Sequence, residues 1–139
     1  MHSGSLRGMS SLKRMSERTR DLQCAVIDEF RARKPADDAE AVLWHELLRA
    51  QTSLATNSAE SDGAHSGPDF ILKFQIALKE ARESFQLLKL LKHACPDRRP
   101  RLDALLKQCD ETIAILVSSL RTAKTNEEKR KREKLSRPR

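Results

Sequence analysis

Asp69 to Lys92 reads DFILKFQIALKEARESFQLLKLLK. Phe70, Phe74, Ala77, Leu78, Ala81, Phe85, Leu88 and Leu91 recur across it at steps of three and four. That spacing gathers side chains on one face of an α-helix and would scatter them on a strand. Ser66, three residues before Asp69, resembles a capping box, and Pro68 fits a first helical turn. Cys95-Pro96-Asp97-Arg98-Arg99-Pro100 closes the segment and opens the next.

The same periodicity extends in both directions. Downstream, Leu102, Leu105, Cys109, Ile113, Leu116, Leu120 and Ala123 hold a second stripe. Upstream, Leu43, Leu47, Ala50 and Leu54 form a third, with Trp44, Leu48 and Ala55 beside it, after a cap at Asp37 or Asp38. Leu12, Met15, Thr19, Leu22, Val26 and Phe30 form a fourth, ended by Lys34-Pro35. Residues 58–68, rich in turn formers such as Ser and Gly and almost free of apolar side chains, read as a connection. The prediction is all-α: an antiparallel up-down-up-down four-helix bundle over 10–124, with helices at about 10–33, 38–58, 67–94 and 99–124. A flexible segment, 1–9, precedes it, and a flexible basic tail, 125–139, follows, largely disordered beyond a turn or two of added helix.

Composition agrees. The 139 residues include one Trp, four Phe and no Tyr, and helix formers dominate. No apolar run reaches the ~18 residues of a membrane span, and MHSGSLRGMSS lacks the core of a secretory signal, with Met9 another candidate start. Cys24, Cys95 and Cys109 follow no metal or redox spacing, which suits a reducing cytoplasm. His2, His45, His65 and His93 form no ligand pair, and no Glu-x-x-His motif, nucleotide loop or nucleophile motif occurs. The expectation is a non-enzyme with no cofactor, metal, membrane or small-molecule substrate.

The net charge of +7 is unevenly placed. Residues 121–139 carry nine basic and three acidic side chains, whereas the other 120 residues carry eighteen and seventeen. Each Lys or Arg that meets a phosphate releases condensed counterion. The candidate nucleic-acid contacts are therefore Lys124, Lys129, Arg130, Lys131, Arg132, Lys134, Arg137 and Arg139, with Arg14 and Arg18 near the start. A merely solubilising tail is the alternative. The tail has no aromatic side chain for base stacking. Smaller basic groups at Lys79, Arg82, Lys89 and Lys92, and at Arg98, Arg99 and Arg101, read mainly as wet helix faces or loop ends. Leu87, Leu88, Leu90 and Leu91 spread over more than half the circumference of their helix, so Leu87, Leu90 and Leu91 are the expected contacts with another copy. Gln51 and Thr52 are expected to satisfy one another across the bundle, and Asn57 and Glu60 to bond backbone near a helix end or a neighbouring chain.

Leu47-Leu48-Arg49, Thr52-Ser53-Leu54, Asn57 and Glu60 resemble the "LLR..TSI.AN..EA" stretch of a known family. Ser66, Asp69-Phe70, Lys73, Ile76 to Ala81 and Glu83 resemble its "S..DF..K..IALKEA.E", and Ile115-Leu116 with Leu120 to Lys124 resemble its closing "IL...I.TAK". The family is the bacterial four-helix bundle associated with 23S rRNA intervening sequences, which includes the accessory variability determinant proteins of diversity-generating retroelements. The likeness covers about 40–125. It implies a left-handed bundle in a five-membered ring, and for the retroelement branch binding to a reverse transcriptase and to RNA or a DNA–RNA hybrid. In such a ring five tails of +6 would gather thirty charges, and multivalency would raise avidity. Thr56 and Ser61 stand where the family has alanine, and residues 125–139 extend past its usual end. A protein-only adaptor, or an rRNA-insertion bundle of unassigned role, is the competing expectation.

Overall fold

The computed structural model describes residues 13–138. The expected segment 1–9, the residues 10–12 at the start of the first predicted helix, and Arg139 lie outside it. Four helices follow in order: α1 (Met15–Arg31), α2 (Asp38–Asp62), α3 (Gly67–Ala94) and α4 (Arg99–Ser136), with a 3-10 turn at Pro96–Arg98. No strand occurs among the described residues. The all-α bundle read from periodicity is the fold.

Each helix packs on its neighbours in sequence, and α4 closes the ring against α1 along the least extensive seam. The apolar stripes meet inside. Leu22, Trp44, Leu54, Leu88, Leu102 and Leu116 have no solvent exposure. Two starts are fixed by side chains: Asp37 accepts from Glu40 N at 2.9 Å, and Ser66 accepts from Asp69 N at 3.2 Å. Asp69 in turn accepts from His65 N at 3.3 Å, satisfying a second backbone donor at the α3 start.

Four boundaries differ from the sequence reading. α1 begins at Met15 and ends at Arg31. α2 runs through Asp62 instead of stopping near 58. Ser58 and Ser61, read as turn formers, are buried and donate to Leu54 O at 2.8 Å and Ser58 O at 2.6 Å within the helix. The largest difference is the tail. α4 is unbroken to Ser136, so the segment expected to be largely disordered is helical. Burial was the wrong criterion for it. The segment extends a helix already nucleated by packing, and Lys, Arg and Glu prolong it at little cost until Pro138. Glu127 and Arg130 pair at 2.9 Å and Glu128 and Arg132 at 4.0 Å along its surface.

Candidate nucleic-acid interface

α4 leaves the bundle at Glu127. That carboxylate is buried beside Gly67, where a Cβ would overlap its Oε2, so the absence of a side chain at 67 makes room for it. Arg130 donates to Glu127 at 2.9 Å and holds its carboxyl below the usual range against the opposing effect of burial. A negative group is also favourable at the start of α3, where backbone N–H groups point outward. Glu127 thereby seats α4 against α3.

Beyond that seat every described residue from Glu128 to Pro138 is exposed. Glu128–Ser136 forms a free helical arm, about 14 Å long at the usual rise. Lys129, Arg130, Lys131, Arg132, Lys134 and Arg137 all reach solvent from it or its end, and Lys124 is exposed at its base. Leu116, Leu120 and Glu127 mark the inward phase of α4. At about 100° per residue, Arg130, Lys131 and Lys134 continue that phase past the end of the bundle. A stripe that is apolar inside the bundle becomes basic outside it.

The arm end also holds the start of α1. Arg14 occupies the N-cap position, 3.9 Å from Asp62 in the last turn of α2, and Ser16 donates to the same carboxylate at 2.6 Å. Arg18 lies one turn on, half-buried. Arg14, Arg18 and the arm, far apart in sequence, thus come to one end of the molecule, with Asp62 partly offsetting Arg14. The basic stripe of α3 is more committed. Lys92 pairs with Asp103 at 2.7 Å, and Lys89 lies 5.4 Å from the centre of the Phe85 ring. Lys79 and Arg82 remain exposed.

The expected contacts with another copy divide. Leu91 has no exposure and belongs to the bundle's own core, so it is corrected from interface to interior. Leu87 is half-buried, and Leu90 is 52% exposed. Sequence reasoning missed Val42, which is 59% exposed. Arg49 pairs with Glu83 at 2.5 Å across the α2–α3 groove. Two turns from that pair, in opposite chain directions, the antiparallel register sets Val42 level with Leu90. Its apolar identity on a polar face was the available signal.

Other polar expectations resolve as packing. Gln51 does not meet Thr52; its Nε2 donates to Ser84 Oγ at 2.9 Å inside the core, and Thr52 donates to Leu48 O at 2.9 Å. Asn57 donates to Ser53 O at 2.9 Å and Glu60 pairs with Lys73 at 2.7 Å. Arg98 was read with Arg99 and Arg101 as a loop end, but it is fully buried. It donates to Glu29 Oε2 at 2.9 Å, Glu29 O at 2.5 Å and Arg33 O at 2.9 Å. Arg101 adds a second cation to Glu29 at 2.8 Å. The clue was Glu29, an acid three places after Val26 on the apolar stripe of α1. Among the described residues no three His, Cys, Asp or Glu side chains are grouped to hold a metal, and no helix is long and apolar enough to cross a membrane.

These features define a four-helix bundle with a protruding basic helical arm. The chain is similar in structure to a protein of unknown function from the S23 ribosomal protein family of Bacteroides thetaiotaomicron, whose crystal structure superposes with a TM-score of 0.68 at 26% identity. The match covers 76% of this chain and 97% of that one. No protein-family model matches the chain, and no curated protein does.

Proposed function

We propose that this chain is a non-catalytic, self-associating helical scaffold that holds nucleic acid through phosphate contacts, as a cytoplasmic accessory to a larger enzyme such as a reverse transcriptase. One observation carries the reading: six basic side chains project into solvent from a helical arm and its end, beyond the last packed residue of the bundle. A solubilising tail needs no such ordered presentation. The exposed Val42 and Leu90, with Leu87 between them and the core, supply the flank against which copies associate. The resemblance to retroelement accessory proteins is the support for the reverse transcriptase partner.

The test is a titration on RNA, DNA and DNA–RNA hybrid at several salt concentrations. Log affinity falls steeply with log salt, and removing 125–139 flattens the slope. Weak binding indifferent to both changes would leave a protein-only adaptor. Mass measurement in solution reports the copy number, and a neighbouring reverse transcriptase gene, followed by co-purification with its product, is the test of the enzyme partner.

A further inference from the structure

We propose that the arm is a groove-lying helix and that its ligand is B-form duplex DNA, in preference to single strands or an RNA duplex. The inference rests on the nucleic-acid reading above and names the ligand class. A disordered cationic tail wraps any polyanion, but a helix has a fixed cross-section. With side chains it measures about 10–12 Å, which matches the ~12 Å width of the B-DNA major groove. The major groove of A-form RNA is too deep and narrow for such entry.

Three features of the arm fit this ligand. Its bases point outward in several directions, so a helix in the groove would meet phosphates on both walls: Arg130, Lys131 and Lys134 on one side, Lys129 and Arg132 on the other. It carries no aromatic side chain from Lys124 to Arg139, so it offers no platform for the unstacked bases of a single strand. Its direction is set by Glu127 in the Gly67 recess, so the helix is presented already extended. Arg14, exposed at the same end of the molecule, is placed to meet the adjoining backbone, whereas Lys13 is paired with Asp21.

The experiment separates shape from charge. Glu133→Ala and Glu133→Pro each remove one negative charge from the arm. Alanine keeps the helix, whereas proline removes a helical hydrogen bond, crowds the Lys129 carbonyl and drives Arg132 out of helical geometry. Both leave the Glu127–Arg130 pair in place. Binding is measured to a short DNA duplex, the RNA duplex of the same sequence, and one DNA strand, with thermal melting to show that the bundle is intact. The expected result is tightest binding to the DNA duplex. On that duplex Glu133→Pro should bind about tenfold more weakly than Glu133→Ala, with a salt slope smaller by about two phosphate contacts. Equal affinity of the two variants, or preference for the RNA duplex or the single strand, would overturn the groove-lying helix while leaving phosphate binding standing. Failure of the full chain to bind any of the three would remove both readings.

Discussion

The Arg98 guanidinium, wholly removed from solvent, lies 2.9 Å from Oε2 of Glu29, a residue 69 positions earlier in the chain. This pair joins the end of α1 to the turn between α3 and α4. Arg98 also bonds the carbonyls of Glu29 and Arg33 and lies 5.2 Å from the centre of the Trp44 ring. It therefore works as a C-terminal cap for α1 from inside the core. Removing one partner leaves the other charge buried and uncompensated. Glu29→Ala should cost about 3–5 kcal/mol in urea unfolding. A loss below about 1 kcal/mol would place the variant with ordinary surface changes and deny the pair this role.

The seat of the arm can be opened from either side. Gly67 has ordinary helical backbone angles, so alanine is tolerated there except for its collision with Glu127. Gly67→Ala should turn the flexible Glu127 side chain out of the recess at little cost in melting temperature, so that Glu127→Ala in the same chain adds less than it does alone. Strict additivity of the two changes would show that they do not meet.

Acid should loosen the same seat. Hydrogen bonding from Arg130 lowers the Glu127 carboxyl from its ordinary value of 4.5. A group whose folded pKa is depressed contributes stability above its unfolded pKa and loses it as pH falls through the folded value. Arm docking should therefore be constant above pH 4.5 and weaken below it. A spin label on the arm would report this as added mobility, and Glu127→Gln should abolish the pH dependence.

Leu90 and Leu91 are adjacent in sequence and opposite in consequence. Leu90→Glu should leave the fold intact and reduce the mass measured by light scattering, because the side chain is half exposed on the apolar flank. Leu91→Ala should cost about 2–5 kcal/mol of stability through the cavity it leaves. An unchanged mass for the combined Val42→Glu and Leu90→Glu variant would rule out that flank as the contact between copies.

The three thiols should separate cleanly. Cys24 is exposed, whereas Cys95 and Cys109 are buried. Burial and the neighbouring Asp110 push the Cys109 thiol up to about 12, and burial with the Glu40 carboxylate raises Cys95. At neutral pH a thiol reagent should modify one cysteine in the native protein and three after unfolding. Fast reaction of two or more in the folded state would contradict the burial of Cys95 or of Cys109, whose thiol donates to Ala81 O at 3.3 Å.

The bundle was legible because its signal is repeated. The stripe from Phe70 to Leu91 fixes one helix, three further stripes require the same geometry, and short connections leave little choice of topology. What escaped the sequence depends on single residues meeting across space. Glu29 and Arg98 each look like surface charges until two distant turns bring them together. Gln51 has a neighbour in Thr52, but only the antiparallel register of α2 and α3 shows that Ser84 is its partner. Leu87, Leu90 and Leu91 form one apolar run, and the rotation of α3 decides which of them is interior. The arm escaped for a different reason. Its residues bury nothing, and a helix inherited from the preceding packed turns leaves no apolar periodicity of its own.

Glu127 has a consequence for how the chain tolerates insertions and deletions. Because it locks the rotation of α4 where that helix leaves its neighbours, every residue beyond it points in a direction counted from that position. One residue added between Glu127 and Lys131 would turn the distal bases by about 100° and advance them about 1.5 Å, whereas seven would nearly restore the angle and lengthen the reach by about 10 Å. Length changes in this segment should therefore be accepted near whole numbers of turns, at about seven, eleven or eighteen residues, and resisted in between, a periodic tolerance that a floppy extension would not impose.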